Sequence, residues 1–483
     1  MVKKRVDLTL EGSKIDRWIF GIGGLFLILN TVFIATEFYL GLALPFIIAI
    51  AGLAVFRLDK LLLLAVMTTP ISVTLNYENF NLGLSLPTEP IFAGITLLVI
   101  LRFLQNGKVN FRVLKEPLSI IIILNICWFI LTSMTSVLPL VSLKYTIVRI
   151  WFVIPLYFIM IQVLRERKNI EPFFWLYLIP LSLVCIYTMA VHSQYDFSKS
   201  TSTWVMFPFY KEHTSYGAAL AMYVPVIVGL FMIKGRGVPY RVGAFVLGLI
   251  LIMATILSYT RAAWVSLVAA FVVFILVHYR VRFLYVVMLA LLGLGILWAN
   301  WGSIEEKFQA NTAVSSDDLS QHVASISNIS TDASNTERIN RWKSALRMFE
   351  ERPVFGWGPG TYMFRYAPFQ KPWEKTIIST NAGNRGNAHS EYIGPLAETG
   401  VIGLLLVLTF VTGIAITGVR TYYRMPDRKM RIYVLVAFLG LVTYFTHGFL
   451  NNFLDMDKLA VPVFGFCAMI VSAKIYHAEE RNP

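Results

Sequence analysis

The feature that most constrains this chain is its succession of apolar runs, each close to the ~20 residues a helix needs to cross a bilayer. Runs fall near residues 18–36, 38–56, 61–75, 88–104, 117–134, 142–163, 172–191, 214–233, 242–259, 262–278, 283–299, 391–418, 432–449 and 458–476. Backbone groups in lipid must bond within their own segment, so successive runs of this length become helices. The expected fold is therefore all-α: a polytopic transmembrane helical protein of about 12–14 spans. Composition agrees. Only 14% of the 483 residues are charged, roughly half the share in a soluble domain.

The formal net charge of +14 sits mostly in short loops at alternate ends of the runs. Arg57 and Lys60, Lys108 and Arg112, Arg165 and Lys168, Lys234 and Arg236, and Arg420 and Arg424 share one side by parity. The positive-inside rule makes that side cytoplasmic. Membrane lipids, and no nucleic acid, are the expected partners of this charge. Cys127, Cys185 and Cys467 all lie in apolar runs and read as core residues, not as a disulfide framework.

One polar block breaks the pattern. Residues 301–390 form an insertion between a transmembrane region at 1–300 and a second at 391–483. Parity places it outside, so it is periplasmic or extracellular. Residues 311–335, rich in Ser, Thr, Asn and Asp, predict a loose loop. Residues 336–350 predict a helix, with Ile339, Trp342, Leu346 and Phe349 as its apolar stripe and Ser334 or Asn335 as its N-cap. Pro353 ends that helix, and Gly356, Gly358 and Gly360 make a tight turn.

Several polar residues call for a role. Arg149 lies deep in a run and should face a cavity, a partner or an anion, with an internal ion pair or outward snorkelling as the alternative. Arg261 follows Ser258-Tyr259-Thr260 at an outer turn. It can grip phosphate oxygens in two-pronged fashion, or serve as an interfacial anchor beside Tyr259 and Trp264. Lys211 and His213 open the next run inward, as cap residues or as headgroup contacts. Arg338 and Arg341 share a helix face, as a solvated edge or as part of a helix that lies on the membrane or roofs a cavity. His389 precedes Ser390, which can cap the following helix. The helix dipole there disfavours imidazolium and keeps a neutral base available near pH 7. A capping or interfacial histidine is the plainer reading. Glu398, two turns on, could orient a base, pair with an arginine or bind sugar hydroxyls. No metal-binding motif is present, and no cofactor is expected.

Taken in order, Ser258-Tyr259-Thr260-Arg261, Arg338 with Arg341-Trp342, Pro353 with Gly356 and Gly358, Ala388-His389-Ser390-Glu391, and Glu398 with Gly400 resemble the O-antigen ligase and polymerase family. The resemblance covers about residues 200–465 and is most specific over 338–403. It implies a GT-C-like integral membrane glycosyltransferase that needs neither metal nor nucleotide sugar. Such a ligase moves a glycan from undecaprenyl diphosphate to an acceptor such as lipid A–core, at the periplasmic face of the bacterial inner membrane.

The resemblance also implies roles. Arg261 and an earlier basic residue would hold the diphosphate, and His389 would deprotonate the acceptor. The earlier position falls around 211–213, where Lys211 and His213 stand in place of an arginine, leaving Arg149 as a substitute. Arg338, Arg341 and Glu398 would serve the acceptor or sugar. Two alternatives stay open. A polymerase of the same family would join one lipid-linked glycan to another. A flippase for lipid-linked sugar would need no base, but repeated halves or broken helices are expected there, and neither is evident in the sequence.

Overall fold

The computed structural model describes residues 9–37, 44–77, 82–107, 110–281, 333–375 and 386–478, with a few isolated positions between them. The chain falls into two compact units, residues 1–61 and 62–483. The first holds α1 (Thr9–Ala35) and α2 (Leu44–Phe56). After α3 (Leu58–Thr68), the second unit runs through α4 (Thr88–Asn106), α5 (Pro117–Met134), α6 (Pro139–Val163) and α7 (Arg167–Ser193). It continues with α8 (His213–Phe231), α9 (Val238–Leu257), α10 (Arg261–His278) and α11 (Ala333–Glu351). It ends with α12 (Ile393–Arg424), α13 (Arg428–His447) and α14 (Asp457–His477). Among the described residues, ten helices are long and apolar enough to cross a membrane: α4 to α10 and α12 to α14. The chain is thus an all-α, multi-pass membrane protein. Most of the expected span at 283–299 and most of the loop at 311–335 lie outside the described residues.

The expected third span, 61–75, is corrected. Helix α3 stops at Thr68, a short turn over Thr69–Ile71 carries Pro70, and the chain then turns into a hairpin. Its strands β1 (Val73–Tyr77) and β2 (Leu82–Leu86) pair antiparallel, Val73 opposite Leu86. Proline removes the amide that the next helical turn needs. Eleven helical residues reach only about 16 Å, half of a ~30 Å hydrocarbon core.

Helix α6 shows how a membrane sorts residues. Ser142, Thr146 and Arg149, spaced by four and three, are buried, while Leu140, Leu143 and Ile147 are exposed on the opposite face. Lipid is the apolar solvent here, so polar side chains turn inward and leucines outward. Helix α14 lies at the centre, buried almost throughout, and α8 packs along both α13 and α14. Stacked Tyr177 and Tyr223, with ring centroids 4.5 Å apart, fill the space beside Phe466.

The basic loops gather in ion pairs that join helix ends. Lys474 of α14 meets Glu116, just before α5, at 2.5 Å, and Arg167 meets Asp427 at 3.7 Å. Glu171 accepts from Tyr433 at 2.6 Å and Lys429 at 2.8 Å, and also pairs with Arg236. This clustering is what the parity of the sequence demands, and it leads to a topology prediction. In a cysteine-free background, Trp373→Cys should react with a membrane-impermeant maleimide on intact cells. Arg424→Cys should react only after permeabilisation, and the opposite labelling would invert the orientation.

Candidate active site under the roof of the insertion

The glycine motifs of the insertion and of α12 exist for each other. Helix α12 breaks at Gly400, where φ is 71° and ψ −170°. The break leaves main-chain oxygens without their helical partners. The insertion supplies them: Trp357 N–H donates to Ala397 O at 3.1 Å, Gly358 N–H donates to Glu398 O at 2.7 Å, and Val401 N–H donates to Pro353 O at 2.9 Å. The Trp128 indole of α5 takes Thr399 O at 2.9 Å. The two backbones cross so closely that a Cβ on Gly400 would sit 2.0 Å from Val354 O, and one on Gly356 would sit 2.4 Å from Glu398 O. Only glycine fits at both positions.

A broken helix is therefore present where the sequence reading found none. It is stapled by the insertion, not left open along a transport path. Glu398 completes the staple: one carboxylate oxygen accepts from Gly360 N–H and the other from Tyr362 N–H, each at 3.0 Å. With one bond to each oxygen, Glu398 acts as a strut for the insertion, and its remaining lone pairs leave the expected sugar-binding role a proposal. Glu398→Gln replaces one acceptor oxygen with a donor, stranding one amide at a cost of about 1–3 kcal/mol. The expected result is a lower thermal midpoint in detergent, with turnover largely kept at low temperature.

Helix α11 forms the roof, beginning at Ala333, so Ser334 and Asn335 lie inside its first turn and not at its cap. Its buried face is not the expected apolar stripe. Glu337, Asn340, Arg341, Ser344, Ala345 and Met348 are buried, whereas Leu346 is 44% exposed and Ile339, Trp342 and Phe349 are half-buried. Much of the polar face thus turns towards the protein, while the apolar stripe is only partly covered, as suits a helix that covers a polar site. Arg341 is held by Glu337 at 2.9 Å and by Asn387 O at 3.1 Å, with its guanidinium 5.4 Å from the Tyr366 ring centroid. Its partners make it a scaffold residue that anchors the chain leading to His389. Arg338 donates to Leu450 O at 3.2 Å and so ties the roof to the loop between α13 and α14.

His389 sits at the junction of these parts. Its backbone is left-handed, with φ 47°, a conformation uncommon outside glycine and often found at functional sites. Asn387 Oδ1 accepts its N–H at 3.0 Å. Ser390 caps α12 as expected: its Oγ accepts from the Tyr392 and Ile393 amides, both at 3.3 Å. The imidazole is half-buried. Desolvation, reinforced by the nearby Arg341 and Arg338 charges, pushes its pKa down to about 3, while Asn451 beside it acts the other way. The ring is therefore neutral at physiological pH. His447 and His213 both lie within electrostatic reach of Arg338. Among the described residues, buried His447 Nε2, Asn451 Nδ2 and Asn340 Nδ2 have no hydrogen-bond partner. Buried polar atoms without partners are costly and mark a place for a polar ligand.

The Arg261 turn joins the same region. Tyr259 is also left-handed, with φ 50°, and Thr260 Oγ1 donates to His213 O at 3.0 Å. The N-termini of α8 and α10 are thereby brought together, and both helix dipoles favour an anion there. Lys211 is exposed at the edge, and Arg261 is half-buried beside His213.

Arg149 does not join this group. Its guanidinium donates to Tyr145 Oη at 2.9 Å, lies over the rings of Phe129 and Tyr145, and shares a cavity of about 60 Å³ with Glu391. That space is small, about the size of a few waters, so the structure supports an internal role for Arg149 and leaves the substitute diphosphate role a proposal.

Sequence reading named Glu398 as the one acid near His389 and missed two others. Glu391 Oε1 accepts from Tyr444 at 2.6 Å, Phe453 N–H at 2.8 Å and Leu454 N–H at 3.0 Å. Those contacts fix the loop carrying Asn451 and Asp455. Burial pushes the carboxyl of Glu391 above its ordinary range, with Tyr444 and Arg149 opposing the shift, while Asp455 lies exposed at the end of that loop. Adjacency to His389 was the available signal for Glu391; for Asp455 there was none. No group of His, Cys, Asp and Glu side chains fit for a metal ion occurs among the described residues.

Residues 244–408 match the family model described as O-antigen ligase (Wzy_C). The matched segment, about a third of the chain, contains Arg261, Arg338, Arg341, His389 and Glu398, whereas Arg149, Lys211 and His213 precede it. The match bears out the resemblance drawn from the motifs. No curated protein matches the chain.

Proposed function

We propose, from the premise that this is a membrane glycan enzyme of the O-antigen ligase and polymerase type, that it transfers a glycan from undecaprenyl diphosphate to an acceptor hydroxyl, such as one on lipid A–core. The reaction would occur at the periplasmic face of the bacterial inner membrane. The observation that carries this reading is the neutral, half-buried imidazole of His389 with Asn451 beside it, in a region that also holds the Arg338 and Arg261 cations and the unbonded Nε2 of His447.

The chemistry follows from those groups. His389 accepts the acceptor's hydroxyl proton as its oxygen attacks the anomeric carbon. The bond to the diphosphate oxygen breaks from the opposite face, which inverts the anomeric configuration. Negative charge grows on the departing diphosphate, and fixed cations in a water-poor site stabilise it most when it is largest. Arg261, Lys211 and Arg338, with the dipoles of α8 and α10, are the groups proposed to do so, and His213 is proposed as a hydrogen-bond donor to the diphosphate beside them. The roof limits water, the competing acceptor.

A polymerase acting on two lipid-linked glycans uses the same groups and differs in its acceptor. The deciding experiment incubates purified protein with lipid-linked glycan and either lipid A–core or a second lipid-linked glycan. Glycosylated product and released undecaprenyl diphosphate in equal amounts are expected. Neither product with either acceptor would exclude transfer.

A further inference from the structure

A second amphipathic site lies at the opposite, basic end, between α5, α12 and the end of α14. We infer that this groove binds an anionic glycerophospholipid of the cytoplasmic leaflet. Its volume is about 1190 Å³, ample for an acyl chain with part of a headgroup. Arg112, Lys115, Arg420, Arg424 and Lys474 line it together with one acid, Glu116, which Lys474 already engages at 2.5 Å. Lys115, Arg420 and Arg424 make no ion pair among the described residues and are exposed. Five cations against one acid leave an excess of four positive charges at one end.

The rest of the groove is built for a tail. Ile121, Leu405, Leu408 and Ile416 form its walls, with Thr409, Thr412 and Gly413 as a low floor between them. From residue 405 to 416 the helix rises about 16 Å, close to the ~15 Å of hydrocarbon in one leaflet. Arg420 and Arg424 follow one and two turns later, where a phosphodiester would stand when the tail is in place. Neither half alone requires a lipid. A basic patch without the apolar slot is ordinary positive-inside charge, and an apolar slot without the cations would take any lipid. Their junction at leaflet depth selects a tailed anion, best one with two phosphodiesters against the fourfold excess. Basic pockets between spans on the cytoplasmic side recognise such headgroups.

The test measures lipid binding to the full-length protein in detergent by native mass spectrometry, so it does not depend on transfer activity. Diphosphatidylglycerol should bind at least tenfold tighter than phosphatidylethanolamine. A preference under threefold in the wild type would overturn the inference, whatever the variants do. Arg420→Gln with Arg424→Gln should weaken diphosphatidylglycerol binding about 30-fold. Thr412→Phe, which fills the slot and keeps every charge, should weaken it at least tenfold. Arg167→Gln with Lys168→Gln, in the neighbouring basic cluster, should change it less than twofold. Wild-type binding by Thr412→Phe, or equal loss in the Arg167/Lys168 variant, would reduce the effect to diffuse surface charge. Full displacement by millimolar inorganic phosphate would make it a phosphate site and not a lipid site.

Discussion

Arg261→Lys is expected to lose about 10- to 100-fold in turnover while the protein remains folded and in the membrane. The change keeps one positive charge and removes the planar, two-pronged donor set. A hydrogen bond to a charged group contributes about 1.5–3 kcal/mol, and 1.4 kcal/mol is a factor of ten. The geometry around Arg261 allows little compensation. The turn is fixed by Thr260 bonded to His213 O and by left-handed Tyr259, so an ammonium cannot re-aim by moving the backbone. Lys211 is the neighbouring cation best able to help, since it is exposed at the same edge. Lys211→Gln alone should therefore have a smaller effect, and the double variant should fall below the product of the two. Full turnover in a well-expressed Arg261→Lys protein would remove Arg261 from the diphosphate site.

What could be read in the sequence follows a physical dividing line. Properties set by single segments were legible: among the described residues, ten of the apolar runs form helices long and apolar enough to span, because length and composition alone decide that in lipid. The cap by Ser390 was legible too, since capping is local. Properties set by contacts between distant segments were not. The staple of Gly356 into the Gly400 break joins residues over forty apart; one glycine motif looked like a turn and the other lay inside an expected span. The roof helix was legible in place but its polar buried face was not, because an apolar stripe marks the core-facing side only when the other side meets water. Here the other side meets the site, and Glu337 and Arg341 are buried as a pair. Arg149 was correctly marked as costly, but its partner Tyr145 is one turn away on the same helix. An uncharged phenol is not conspicuous as the partner of a buried arginine.

The largest effect is expected at His389. His389→Ala should lower turnover by roughly 10²–10⁴, the usual contribution of a positioned base, while donor binding stays near wild type because the imidazole serves the acceptor. The pH dependence gives a second, independent readout. Catalysis requires the neutral ring, so rate falls as pH drops through its pKa, which desolvation and the Arg341 and Arg338 charges hold near 3. The wild-type rate should therefore show no histidine limb between about pH 5 and 8, unlike a histidine at its ordinary ~6.5. Removing a neighbouring cation eases protonation and must move the limb upward. In Arg338→Gln the limb should lie at higher pH than in the wild type, and adding His389→Ala should abolish it. A limb that persists in the double variant would assign the titration to another group. If His389→Ala instead abolished donor binding and left catalysis per bound donor unchanged, His389 would be a binding residue. Glu398, whose oxygens each accept one amide, from Gly360 and Tyr362, would then be the next base to test. His447, whose Nε2 has no partner among the described residues, is the other side chain to test.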